Sequence, residues 1–162
     1  MSSPADPVPL GDWLTARGPF RQLRSALLDA EAHLNGHLTG TTPVQWHRLR
    51  AAFGDDAAAL TALDDLLVAQ QVRLRMTTAE GRWLLGAVGG AGRESAAAVA
   101  IAVLSDAGGS GRLKGCRRGG CGQVFLDWTN GAQRSGCRLH PSRPTPDEVA
   151  LDAPVDGRLR LH

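Results

Sequence analysis

Cys116, Cys121, Cys137 and His140 stand close together near the carboxyl end, in the pattern Cys-x4-Cys-x15-Cys-x2-His. Three thiolates and one imidazole are the donor set of a tetrahedral structural zinc site. All three cysteines of the chain lie in this stretch. One disulfide and a spare thiol is the competing use of three cysteines, and it belongs to oxidising compartments. Residues 1–10 hold three prolines and an aspartate where an export signal would have a charged start and an apolar run. No apolar stretch approaches the ~20 residues that span a bilayer. The expectation is therefore a cytoplasmic metal-binding protein with no membrane partner. His140 decides the chemistry. As a fourth ligand it closes the site and makes the metal structural. If it does not bind, three thiolates hold a metal with an open position, and His140 becomes a candidate general base. Three thiolates also blunt the acidity of zinc, which favours the closed site.

The residues between the ligands suit a knuckle followed by a hairpin. Arg117-Arg118-Gly119-Gly120 lets the chain double back between the first two thiols, because glycine accepts positive φ. Gln123 to Asp127 reads as a strand, and Asn130-Gly131 is a two-residue hairpin signal that returns the chain to Cys137. So short a module has little core of its own, so metal should contribute folding energy to residues 112–140. Charge is uneven. Residues 112–143 carry seven basic groups against Asp127 alone, whereas residues 1–111 and 144–162 are each net −2. Zinc on three thiolates would leave the module at about +5. A positive patch attracts polyanions, which makes Arg117, Arg118, Arg134, Arg138 and Arg143 candidate contacts to DNA phosphates. Solubilising a small module is the other use of the same arginines.

The run Arg112-Leu113-Lys114-Gly115-Cys116, with Cys121-Gly122-Gln123-Val124-Phe125-Leu126-Asp127 after it, resembles the zinc finger of the CGNR family. In that family the finger follows an ABATE-type domain, and members are described as stress-responsive transcription regulators. A basic residue and first cysteine, a second cysteine and a Phe-x-Asp segment are typical, and Phe125-Leu126-Asp127 matches the last. An Arg-Arg-Trp-Cys stretch and the Cys-Gly-Asn-Arg motif should then follow. Here Gln133-Arg134-Ser135-Gly136-Cys137 keeps one arginine and no tryptophan, and Pro141-Ser142-Arg143-Pro144 stands where the name-giving motif would lie. His140 would thus replace the fourth thiolate. The family's basic tail is also altered, because Pro141, Pro144 and Pro146 interrupt a helix there and the remaining residues are acidic on balance. The resemblance spans residues 12–140 and is specific over 112–137. It implies zinc and DNA. Loss of the signature motif leaves open a scaffold repurposed to bind a small-molecule ligand or to act as a biosynthetic enzyme.

The elements that must position these groups read as an α+β fold. A mainly helical domain over 1–111 with one β-hairpin near 71–87 precedes a zinc-finger module over 112–143 and a tail over 144–162. Phe20, Leu23, Leu27, Ala30 and Leu34 recur at helical spacing up to Asn35-Gly36. Thr42 is the expected N-cap of a helix starting at Pro43, with Trp46, Leu49 and Phe53 on one face. Asp55 restarts a helix with Leu60, Leu63, Leu66 and Leu67 on one side. Val72, Leu74 and Met76 then alternate with arginines, and Trp83-Leu84-Leu85 forms the returning strand. Ser95 to Leu104 is an alanine-rich helix, and Gly108 to Gly111 a short flexible linker. His33 and His37 have a chelating i, i+4 spacing, but Gly36 lies between them, so surface or capping roles are expected. Trp13, Trp46 and Trp83 are expected in the core, with an apolar ligand pocket between helices as the alternative. Asp55-Asp56 is a helix start and Asp64-Asp65 a solvated face. No nucleotide loop, Ser-His-Asp order or paired catalytic carboxylate is present.

Overall fold

The computed structural model describes residues 7–10, 12 and 23–141. Helix α1 (Leu23–Leu34) buries Ala26, Leu27, Ala30 and Leu34. It stops where the sequence requires, since Gly36 turns the chain at φ +71. Phe20 and Trp13 lie outside the described residues. Helix α2 (Pro43–Ala51) buries Trp46 and Leu49. Helix α3 (Asp56–Ala69) is capped by Asp55, whose carboxylate accepts the Ala58 N–H at 3.0 Å. Leu63, Leu66 and Leu67 face inward, but Leu60 is 63% exposed, so the inward stripe is narrower than its leucines imply.

Strands β2 (Val72–Ala79) and β3 (Arg82–Gly89) form the expected hairpin, closed by Glu80 and Gly81, both at positive φ. A two-residue strand that sequence reading missed, β1 (Val8–Pro9), pairs with β3 to give the antiparallel order β1-β3-β2. Gly86 permits that approach, because a Cβ there would lie 2.7 Å from the Val8 carbonyl oxygen. One sheet face meets the core through Val72 and Ala87, with Leu74 and Leu85 packed half-buried against it. At the distal end Met76 is exposed and Trp83 is 77% exposed, so Trp83 is not a core residue. The hairpin outruns the helices that cover it.

Helix α4 (Gly92–Asp106) is the centre of the fold, with Ser95 to Ala102 and Leu104 all buried. A helix apolar on every side must be packed on every side, and its alanines let neighbours approach closely. Gly108 to Gly111 is ordered rather than a free linker. The Gly109 N–H bonds the Leu104 carbonyl at 2.8 Å, and Ser110–Arg112 forms a 3-10 turn. That turn leads into β4 (Leu113–Gly115), which pairs antiparallel with β5 (Val124–Leu126). Leu113, Val124 and Leu126 join the same apolar cluster as the helices. The second hairpin is therefore β4–β5 with the knuckle as its loop. Among the described residues no strand follows Asn130-Gly131, contrary to the sequence expectation.

Polar side chains tie α4 to α2. Thr42 does not cap its own helix. Instead Glu94 reaches across from α4 and accepts from Thr41 N–H (2.7 Å) and Oγ1 (2.9 Å), Thr42 N–H (3.2 Å) and Oγ1 (2.5 Å), and Trp46 Nε1 (2.9 Å). The carboxylate thus anchors the entry to α2 from outside the helix, holding both the N–H and the hydroxyl of Thr42. Thr42 Oγ1 also accepts from Gln70 Nε2, and Ser95 Oγ bonds Gln70 Oε1. Asp29 and Arg93 add a two-pronged ion pair at 2.7 and 2.8 Å. His33 is buried rather than superficial, stacked on Trp46 with centroids 4.9 Å apart, and burial lowers its pKa.

Candidate metal centre

The β4–β5 pair brings the first two thiols together. Gly115 ends β4 and Gln123 precedes β5, and the Cys116 N–H bonds the Gln123 carbonyl at 2.7 Å. Between them Gly120 takes φ +76, as the sequence anticipated for this reversal, while the second positive φ falls on Gly122 (+59), after Cys121, and not on Gly119. The Cys121 N–H returns to the Arg118 carbonyl at 3.1 Å, which closes the knuckle.

The second pair of donors arrives by a route that sequence reading missed. Asp127, fully buried, organises the segment after β5. Its carboxylate accepts from Lys114 Nζ (2.8 Å), Thr129 N–H (3.0 Å), Thr129 Oγ1 and Arg134 N–H (2.7 Å). Lys114 also donates to the carbonyls of Ala132 and Arg134, and Arg112 donates to those of Asp127 and Thr129. Burial would raise the Asp127 pKa, but Lys114, Thr129 and Arg134 together lower it. The loop is thereby held so that the Arg117 N–H meets the Ser135 carbonyl and Cys137 faces the knuckle. A tight turn, with the His140 N–H on the Cys137 carbonyl, then sets the imidazole beside the thiols.

The four donor atoms lie within 4.8 Å of one another. Cys121 Sγ is 3.7 Å from Cys137 Sγ, and His140 Nδ1 is 3.6 Å from Cys137 Sγ and 3.8 Å from Cys116 Sγ. A disulfide needs sulfurs about 2.05 Å apart, so the thiols are not paired. A tetrahedron with metal–sulfur bonds of about 2.3 Å and a metal–nitrogen bond of about 2.0 Å has edges of about 3.8 Å and about 3.5 Å. The three short separations match those edges, and with every pair within 4.8 Å the donors need to close by no more than about 1 Å on a metal. The backbone supports anionic sulfur: N–H groups of Cys137 and Arg118, with the His140 side chain, lower the Cys116 pKa to about 6. For Cys121 the Gln123 N–H acts the same way, but burial and the neighbouring sulfurs outweigh it and raise its pKa. A cation among the thiols would remove that repulsion. The residues fit a four-coordinate metal.

The candidate phosphate contacts divide. Arg117 and Arg118 are exposed on the knuckle, and Arg138 is exposed between the last two donors. Arg134 is partly covered, its guanidinium 5.7 Å from the centre of the Phe125 ring. Arg143 lies outside the described residues. Lys114, counted with the basic groups of the module, is committed to Asp127. Trp46 and Trp83 line no common pocket, and His33 and His37 form no metal cluster among the described residues.

These features define an α+β protein carrying a Cys3His cluster on a two-stranded knuckle. No helix among the described residues is long and apolar enough to cross a membrane. No protein-family model, curated protein or solved structure matches the chain.

Proposed function

We propose that the cluster binds zinc and that the chain is a regulatory protein of the CGNR zinc-finger type, contacting DNA through its basic module. Sulfur-rich tetrahedral donor sets select zinc over hard cations. Thiolate ligands persist in a reducing compartment, which supports a cytoplasmic protein. The observation that carries the reading is the placement of the exposed arginines. Arg117 and Arg118 lie between two ligands, and Arg138 lies between the other two. Metal would therefore fix three cations on neighbouring loops, a geometry suited to phosphates.

Binding of this kind is electrostatic and falls steeply with salt, with a logarithmic slope of about −0.9 per phosphate neutralised. Titration of the zinc-loaded chain with duplex DNA at low salt tests it. The double variant Arg117→Gln/Arg118→Gln should reduce the slope by about 2. No binding at low salt, or a slope that the variant leaves unchanged, would refute the DNA reading. An enzyme could use the helical-domain pocket with the metal structural, and only its metal-catalysed version needs His140 off the metal; the imidazole Nδ1 at 3.6 and 3.8 Å from two sulfurs favours ligation. Cobalt spectra of the wild type and His140→Ala distinguish the two, since a tetrahedral spectrum unchanged in the variant would revive the catalytic version.

A further inference from the structure

A cavity of about 350 Å³ opens between the end of α2 and the knuckle. That volume is in the range of small-molecule sites. Its walls are unequal. Phe53 and Val124 provide an apolar surface, while Arg50 and His47 provide hydrogen-bond donors at one end, and no acidic side chain lines it. Cys116 lies at the metal-module side.

Arg50 is the informative residue. It is half-buried, yet its side chain makes one long hydrogen bond, from Nη1 to the Leu34 carbonyl at 3.4 Å. No described acid pairs with it. Its Nη2 lies against the knuckle, where a Cβ on Gly122 would come within 2.9 Å. A half-buried guanidinium with donors to spare is matched best by a planar anion, because its fork fits a carboxylate in two parallel bonds. His47 borders the same space and a smaller cavity of about 150 Å³ on the other side of Arg50, so two donors converge there.

We propose that this cavity binds a small monocarboxylate with a compact apolar group. Its carboxylate rests on Arg50 and His47, and its apolar part on Phe53 and Val124. One guanidinium and apolar walls suit a single negative charge better than a phosphate ester. The site does not depend on DNA binding, because its ligand touches neither Arg118 nor Arg138.

Phenylacetate is a suitable probe on the full, metal-loaded chain, followed by amide NMR shifts. Saturable binding is expected at millimolar concentration or below, with shifts centred on Ala51, Phe53, Gly115 and Gly122. Phenylacetamide, the neutral analogue, and inorganic phosphate, the anion without an apolar group, should each bind at least about tenfold more weakly. Arg50→Gln should weaken phenylacetate at least about tenfold, while exposed Arg48→Gln leaves it unchanged. Ala51→Trp, at an exposed position on the rim, should block the site without disturbing the core, which covers the case of a misfolded Arg50 variant. Absence of saturation, equal binding of phosphate, shifts centred elsewhere, or full binding in either Arg50→Gln or Ala51→Trp would each overturn the proposal.

Discussion

Glu94→Gln keeps the length of the side chain and removes its charge, which isolates what the carboxylate does for α2. Five donors converge on its two oxygens. A carboxamide has one oxygen and one NH2, so at least two donors of Thr41, Thr42 or Trp46 would face an N–H instead of an acceptor. Burial works against the charge, but the bonds from Thr42, Thr41 and Trp46 outweigh it and hold the pKa at about 2 instead of 4.5. By linkage that difference corresponds to about 3.4 kcal/mol. Glu94 keeps solvent contact, and screening brings the expected loss to about 2 kcal/mol at neutral pH. The sign follows from the lowered value: the contribution is complete above the unfolded pKa near 4.5 and disappears as pH falls through about 2. Urea unfolding of both chains between pH 7 and pH 2 measures it. Both chains lose bound metal over the same acid range, so their difference reports residue 94 alone. A gap under about 0.5 kcal/mol at pH 7, or one that stays constant down to pH 2, would refute the reasoning.

Asp127→Ala should cost about 3 kcal/mol in unfolding of the metal-loaded chain, because it strands the Lys114 ammonium and the N–H groups of Thr129 and Arg134. Adding Lys114→Met should then cost less than Lys114→Met does alone, a coupling read from the double-mutant cycle. Gly40→Ala should destabilise by about 1–3 kcal/mol, since its Cβ would lie 2.5–2.8 Å from the Glu94 carboxylate and force it away. Trp83→Ala should change stability by less than about 0.5 kcal/mol despite the size of the residue, because the indole is exposed. Chelation should leave the helical circular dichroism in place while amide protection is lost over residues 117–121 and 136–140, the two loops that carry the donors, and kept at Thr129 and Arg134, whose N–H groups bond Asp127.

The helices were legible because their signals are local. Apolar spacing, Asp55 as a cap, Pro43 at a first turn and Gly36 at an end all act within a few residues of themselves. The errors fall where a distant group takes over. Thr42 stands at the N-cap position, but its hydroxyl donates to Glu94, 52 residues away, and makes no capping bond to its own helix. Trp83 and Leu60 look like core residues by composition, yet no element covers them, and coverage is a property of the assembled fold. β1 is too short to show an alternation, and only Gly86 hints that another backbone approaches β3. The metal donors were legible because cysteine is rare in the chain and its spacing carries the chemistry. Their support was not. Asp127 reads as an ordinary strand-end acid, and only its full burial with Lys114 bonded to it reveals the device that delivers Cys137.

That device changes what metal binding has to accomplish. On sequence grounds the module lacks a core and must take its folding energy from zinc. In the fold, Leu113, Val124 and Leu126 share the core of the helical body, so part of the module is packed without metal. α1 also completes the open edge of β5. Asn35 exchanges two hydrogen bonds of 2.8 Å with the Val124 backbone, and Glu31 accepts the Leu126 N–H at 3.0 Å. The strands are thus fixed by apolar burial and by side chains of α1, and the loop after them by Asp127 and Lys114. What remains for the metal is the junction of two loops, each of which carries two donors and at least one exposed arginine. Mutual repulsion of three thiolates would drive those loops apart, and a cation reverses that force. Metal occupancy would therefore act on the surface that presents Arg117, Arg118 and Arg138 more than on the stability of the body, so the proposed binding by those arginines should be the property most sensitive to metal.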